Sequence, residues 1–384
     1  MKKKIFVIAG EASGDILGAD LMQAIAEKKS DVVFAGVGGE EMEKFPKFHS
    51  VFDIKDISVM GIFEVLKNLF VIRRRLNQTV KTIRDFNPDM VITVDAPGFN
   101  MAVVKRVKKF LPKTVFVHYV APQVWAWKEK RAEKIAKLFD ALLCFFPFEP
   151  RYFERYGLKC FVVGHTATEN VHGNKAQFRK DYKIKDKDVV VTMLVGTRRQ
   201  MVERLLPVYE DVANDLYGKI ENLKIVMPTT KSMQYLLWER TRYWKCDTEI
   251  VTGKQNRYNA FMASDVALSI SGTAVLELAM AKVPTVVAYR VSPLTYGIAK
   301  HFVKIKNVTL PNIIAGKTVV PEFIQDKCNA KNLSRAIMKC LCDEKYRAKM
   351  IDGLDGVYKK MKGIGGKSSS DKAADAVIKI LWKK

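Results

Sequence analysis

Residues 5–22 read IFVIAGEASGDILGADLM. Five apolar residues, Ile5 to Ala9, run unbroken into Gly10-Glu11-Ala12-Ser13-Gly14-Asp15, and beyond them the apolar residues recur at helical spacing. A continuous apolar run is what a parallel strand covered on both faces requires. The stretch therefore predicts strand, loop and helix, in that order. The competing reading is a signal peptide behind Met1-Lys2-Lys3-Lys4. Its apolar part is too short, and Glu11 and Asp15 stand where small neutral residues are needed, so the start reads as mature protein. No apolar run approaches the ~18 residues of a membrane span.

The same alternation continues outward. Strands are predicted at Val32–Val37, Met90–Val94, Thr114–Val120, Ala141–Phe146 and Cys160–Val163, with amphipathic segments such as Ile16–Lys29 and Val59–Phe86 between them. A second series follows at Val189–Leu194, Lys224–Met227, Thr248–Val251, Val266–Ile270 and Thr285–Tyr289. Strands alternating with helices predict doubly wound α/β domains. The polar, weakly patterned stretch 170–188 marks the boundary, giving domains 1–168 and 169–366, with 367–384, which carries a helix predicted at Asp371–Leu381, available to complete the first. Two such domains leave a cleft, the default place for a substrate.

Composition narrows the chemistry. Of 384 residues, 48% are hydrophobic and 28% charged, as in a globular protein. Six cysteines show neither CxxC nor His/Cys ligand spacing, which fits reduced thiols better than a disulfide framework or a zinc site. The net charge of +24 points to an anionic partner: nucleic acid, an anionic membrane face or a phosphorylated substrate. The lysines are spread along the chain, so solvated surface accounts equally well for the bulk of it. Gly366-Lys367-Ser368 has the ending of a P-loop, but Met361 stands where the loop needs glycine and no strand precedes it. No GxGxxG follows the first strand, nor does Gly36-Val37-Gly38-Gly39 fit that pattern, which argues against a nicotinamide enzyme.

Several loops carry candidate chemistry. Gly10–Asp15 opens a helix whose N-terminus favours anions; a tight turn accounts for Asp15, whereas Glu11 is a carboxylate on a ligand-facing loop. Asp95, in Asp95-Ala96-Pro97-Gly98-Phe99-Asn100, ends a parallel strand and points to the crevice where ligands bind; a turn-initiating Asp before Pro is the rival reading. His118–Trp127, HYVAPQVWAW, suits a sugar or acyl pocket or a domain-packing cluster. Gly196-Thr197-Arg198-Arg199 offers amides, a hydroxyl and a guanidinium to a diphosphate. Ser271-Gly272-Thr273 opens a helix in the same way, with Glu277 one turn along to accept from ribose hydroxyls. Finally, 58–84 sets Ile62, Phe63, Leu66, Leu69 and Phe70 beside Arg73 and Arg74, an amphipathic basic segment suited to an anionic bilayer or to a core-packed helix with a basic outer face.

Taken in order, AGEASGDILGA (9–19), VMGIFEVL (59–66), DAPGFN (95–100), HYVAPQVWAW (118–127), FPFE (146–149), VGHT (163–166), GTR (196–198), SGTAVLE (271–277), PTVVAYR (284–290) and LPNIIAG (310–316) resemble the lipid-A-disaccharide synthase family over nearly the whole chain. The resemblance implies a GT-B architecture of two Rossmann-like domains. It implies transfer of 2,3-diacylglucosamine from UDP-2,3-diacylglucosamine to the 6-hydroxyl of 2,3-diacylglucosamine 1-phosphate, with inversion, giving a β-1,6 disaccharide and UDP. It implies no metal and no cofactor, a cytoplasmic protein peripheral to the inner membrane, no nucleic-acid partner, and a homodimer exchanging C-terminal segments. By the same resemblance Asp95 is the general base, Arg198 and Asn312 handle the nucleotide, Ser271, Gly272, Thr273 and Glu277 line the UDP site, and Glu11, Ser13 and Gly14 belong to the cleft loop. There are departures: Val195 and Thr197 stand for a Pro and a Ser, Met201 for an acid, with Glu203 close by, and Gly98 for an acid common in the family. The rival enzymes of this architecture are a peptidoglycan glycosyltransferase and a sugar 2-epimerase.

Overall fold

The apolar run at the start becomes β1 (Lys3–Ala9), whose last five residues are buried. Around it the computed structural model, which describes residues 2–58, 68–124, 130–169, 172–291, 296–297, 307–362 and 366–382, builds a first parallel sheet. Its strands are β1, β2 (Val32–Val37), β3 (Met90–Val94), β4 (Val115–Tyr119), β5 (Ala141–Cys144) and β6 (Lys159–Val162), in the order β2-β1-β3-β4-β5-β6. The chain steps from β1 to β2 and then returns to lay β3 against the other side of β1. Strand order thus reverses between β1 and β3. At such a point the loops leaving two adjacent strands diverge and leave a crevice at their carboxyl ends.

The chain divides into two compact units, Met1–His165 with Ile364–Lys384, and Thr166–Gly363. The last helix, Ser369–Leu381, joins the first unit by packing on the helix Ala12–Lys28. There Lys28 Nζ reaches Asp375 Oδ1 at 2.8 Å and the Asp371 carbonyl at 3.0 Å.

The second unit repeats the plan with β7 (Val189–Leu194), β8 (Leu223–Thr229), β9 (Asp247–Thr252), β10 (Val266–Ile270), β11 (Thr285–Tyr289) and β12 (Glu322–Ile324). All its pairings are parallel, in the order β12-β11-β10-β7-β8-β9, so the reversal falls between β10 and β7. β10 is buried along its whole length and β7 at every residue but the first, as their near-continuous apolar runs require. The expected doubly wound α/β class is found in both units. β12 is the one strand absent from the sequence reading: three residues give no period to detect.

Candidate functional site

The first reversal point is acidic. Asp95 follows β3 directly, and it and Ala96 both take left-handed backbone conformations, φ 49° and 39°. Two successive non-glycine residues in that region are strained and persist only where their surroundings hold them. Three bonds do so. The Asp95 amide donates to the Tyr119 carbonyl at 2.9 Å. The buried Asn100 amide group donates to the Asp95 carbonyl at 2.8 Å and to the Val94 carbonyl at 3.3 Å. Pro97 then opens the helix Pro97–Val107.

The loop after β1 closes on this turn. A Cβ on Gly10 would lie 2.0 Å from the Ala96 Cβ, so only glycine lets the two loops touch. That approach brings Glu11 to Asp95. Burial, then the Glu11 charge, then a hydrogen bond with the Glu11 carboxyl, raise the Asp95 carboxyl to about 6, against the lowering effect of the Ala96 amide. Ser13 Oγ donates to Glu11 Oε1 at 2.8 Å. The result is a pair of neighbouring carboxyls, of which Asp95 is set near physiological pH.

Two neighbours in this loop serve the scaffold. Asp15 is buried and accepts from the amides of Gly39, Glu41 and Met42 at 2.7, 2.9 and 3.1 Å. Gly14 is buried where a Cβ would press on the Val94 carbonyl at 3.3 Å. Its lack of a side chain lets the helix lie close against β3.

The second reversal point has the opposite character. Gly196 ends β7 in a left-handed conformation, φ 104°. Thr197 and Arg198 follow exposed, and Arg198 stands before the first turn of the helix Arg199–Tyr217. Arg199 is engaged by Glu203 at 2.8 Å, whereas among the described residues Arg198 has no ion-pair partner. From the adjacent β10, Ser271 and Gly272 lead into Thr273, the first residue of the helix Thr273–Met280. Two helix N-termini thus leave neighbouring strands with hydroxyls beside them, the arrangement that receives phosphate. Glu277 lies further in. Its Oε1 takes Arg257 Nη2 at 2.9 Å and the Tyr258 hydroxyl at 3.3 Å, and burial raises its carboxyl above the usual range.

Asn312 is fully buried. Its Oδ1 accepts the amides of Val319 and Val320 at 2.7 and 2.9 Å, and its Nδ2 donates to Glu322 Oε1 at 2.7 Å. Glu322, in β12, also takes the Val308 and Thr309 amides at 2.9 Å each and the Thr309 hydroxyl at 2.6 Å. Ser271 Oγ then reaches the Val308 carbonyl at 3.4 Å. Asn312 is thus linked through Glu322 to the loop that abuts Ser271. Glu322 and Asn100 were not singled out from the sequence; each bonds to backbone, and neither sits in a pattern that spacing reveals.

Of the bilayer-contact residues expected from the sequence, Leu69, Phe70, Arg73 and Arg74 are exposed on the helix Leu69–Phe86, Phe70 at 82%. Arg75 turns inward to Asp56, with its Nε 2.7 Å from Asp56 Oδ2. Ile62, Phe63 and Leu66 lie outside the described residues, as do Trp125 and Trp127. Among the described residues no helix is long and apolar enough to cross a membrane, and no group of three or more His, Cys, Asp or Glu is placed to hold a metal ion.

With this geometry in place, comparison with known proteins is informative. The profile of the lipid-A-disaccharide synthetase family matches residues 5–377. The lipid-A-disaccharide synthase of Rhodospirillum centenum is 38% identical over 383 residues, covering 99% of this chain and 95% of the relative. Among solved structures, UDP-GlcNAc 2-epimerase from Neisseria meningitidis bound to UDP-GlcNAc superposes with a TM-score of 0.62 at 14% identity, covering 99% of this chain and 100% of that one. MurG from Acinetobacter baumannii does so with a TM-score of 0.56 at 13% identity, covering 100% of both chains. At such identities these two show the fold alone, the two-domain α/β class of GT-B glycosyltransferases and epimerases.

Proposed function

The chain belongs to the lipid-A-disaccharide synthase family, and from that premise we propose how its two strand-order reversals divide one glycosyl transfer. The chain is a UDP-sugar glycosyltransferase of lipid A biosynthesis. It joins 2,3-diacylglucosamine from the UDP donor to the 6-hydroxyl of 2,3-diacylglucosamine 1-phosphate, releasing UDP. The rival readings, a peptidoglycan glycosyltransferase and a sugar 2-epimerase, share only the fold.

In our reading Asp95 accepts the proton of the acceptor 6-hydroxyl as its oxygen attacks the anomeric carbon. The bond to the UDP oxygen breaks on the opposite face, so the centre inverts. A base poised near 6 is ionised at neutral pH yet stronger than an ordinary carboxylate. Glu11 acts through Asp95: its negative charge raises the base, and Ser13 keeps it in place. On the second unit, the Thr197 and Thr273 amides, the hydroxyls of Ser271 and Thr273, and Arg198 stabilise the diphosphate as it gains charge. Gly196 and Gly272 let the backbone come close. Glu277 takes the ribose hydroxyls, and Asn312 with Glu322 fixes the loop behind Ser271.

The exposed Leu69, Phe70, Arg73 and Arg74 suit a protein peripheral to an anionic membrane, where both acylated substrates reside. Self-association through the C-terminal segment belongs to the same proposal and is read by sedimentation equilibrium.

The observation that carries the reading is the contact of Glu11 with Asp95 at a strand-order reversal. The test is mass spectrometry of a detergent-containing reaction of protein, UDP-2,3-diacylglucosamine and 2,3-diacylglucosamine 1-phosphate, with UDP-GlcNAc as the unacylated control. Disaccharide 1-phosphate and UDP are expected, with no product from the control. Protein that binds UDP and forms no disaccharide overturns the reading.

A further inference from the structure

The helix Lys231–Thr241 of the second unit has two unlike faces. Leu237, Thr241 and Trp244 point inward and are buried. On the outer side Tyr235, Trp238 and Tyr243 are 70, 51 and 79% exposed. Tyr235 and Trp238 stand one turn apart, with ring centroids 6.2 Å from each other. The Arg242 guanidinium lies 5.5 Å from the Trp238 ring centre and 4.6 Å from that of Tyr243. From 231 to 245 the exposed charges are Lys231, Arg240, Arg242 and Lys245 against Glu239 alone. None of these residues enters the site described above.

Three large aromatic side chains in water on one short surface mark a contact site. Its chemistry selects the partner. A two-fold contact with a second copy sets the same four cations against themselves. A stacked nucleic-acid base needs open ring faces, and Arg242 already lies over two of them. Tyrosine and tryptophan with an apolar body and a polar tip, interleaved with arginine, match the headgroup layer of an anionic bilayer. There the rings settle at the acyl boundary and the guanidinium meets phosphate.

We propose that the outer face of Lys231–Thr241, with Arg242 and Tyr243, is a bilayer contact of the second unit, separate from the Leu69–Arg74 surface of the first. Its occupant is an anionic phospholipid surface. The contact does not rest on the assignment of the catalytic residues.

The test is flotation of the full chain with vesicles of phosphatidylcholine containing one-third phosphatidylglycerol, and with pure phosphatidylcholine. The triple variant Tyr235→Ser, Trp238→Ser, Tyr243→Ser is expected to lower partitioning onto the anionic vesicles about tenfold while binding UDP as the parent does. Each of Arg240→Gln and Arg242→Gln is expected to lower it about fivefold at low salt. In the parent, brominated acyl chains should quench tryptophan emission, and Trp238→Phe should remove that share. Folded triple variant that partitions like the parent overturns the proposal. So does loss, in that variant, of a concentration-dependent dimer or of tRNA binding with vesicle binding unchanged. The variant Leu69→Ser, Phe70→Ser, run alongside, separates this contact from that of the first unit.

Discussion

The two sheets are built alike and finished differently. Each has six parallel strands, and each reverses its strand order beside the first strand of its series, at β1/β3 and at β7/β10. In the first unit the loops leaving that point bring two carboxyls together, Glu11 and Asp95. In the second they carry Gly196-Thr197-Arg198 and Ser271-Gly272-Thr273; the acids there, Glu203 and Glu277, stand on the helices that follow and are paired with Arg199 and Arg257. One topology thus supplies a crevice twice, and in the proposed mechanism the loop residues decide whether it removes a proton or holds a phosphate. Fold sets where chemistry can occur; side chains set which chemistry it is.

The difference breaks most cleanly at Asp95. Asp95→Asn is expected to lower kcat on the order of 10³-fold, measured with both acylated substrates. Arg198→Ala is the matching cut in the second unit. It should raise the Kd for UDP by about 10- to 100-fold, as for a lost hydrogen bond between charged groups. The acid limb of its pH profile should stay where the parent's is, since Arg198 belongs to the other unit's chemistry.

A third test sharpens the acidic side alone. With Asp95 as the proposed base, kcat/KM should fall as pH drops through about 6. Glu11→Gln removes the repelling charge, so the limb should move to lower pH, while burial keeps it above an ordinary carboxylate. A limb that stays in place removes Glu11 from the account.

Smaller effects concern the supports. Glu322→Ala leaves the Val308 and Thr309 amides and Asn312 without their acceptor. It should cost about 2–3 kcal/mol in urea unfolding and weaken UDP binding only several-fold. Asp95→Asn should have the opposite sign in stability. The native carboxyl titrates above its unfolded value, so the native state holds the extra proton between the two values. Asp95 therefore subtracts from stability as pH rises through about 6, and removing its charge should add about 1 kcal/mol at pH 7.5.

How much of this could be read from the chain differs between the same two regions. Val266–Ile270 and Thr285–Tyr289 were legible to the residue because buried parallel strands are continuous apolar runs bounded by polar loops. The placement of Asp95 and Ser271-Gly272-Thr273 at strand ends was legible because they follow such runs directly. The pairing of Glu11 with Asp95 was not, since 84 residues separate them in sequence and only the β1–β3 register joins them. Asn312 was expected at the nucleotide. What the structure adds is that its side chain bonds Val319, Val320 and Glu322, contacts that Leu310-Pro311-Asn312 does not announce. The short β12, which supplies Glu322, has no periodicity, and two of the partners of Glu322 are backbone amides that carry no residue signature.

The central claim is that proton removal and diphosphate binding reside in separate units. It is tested most directly by titrating UDP into Asp95→Asn in a calorimeter, beside the parent protein. The account predicts a Kd within about twofold of the parent's from a variant that has lost nearly all turnover. A Kd that rises in step with the loss of turnover contradicts it, and places Asp95 in the nucleotide site.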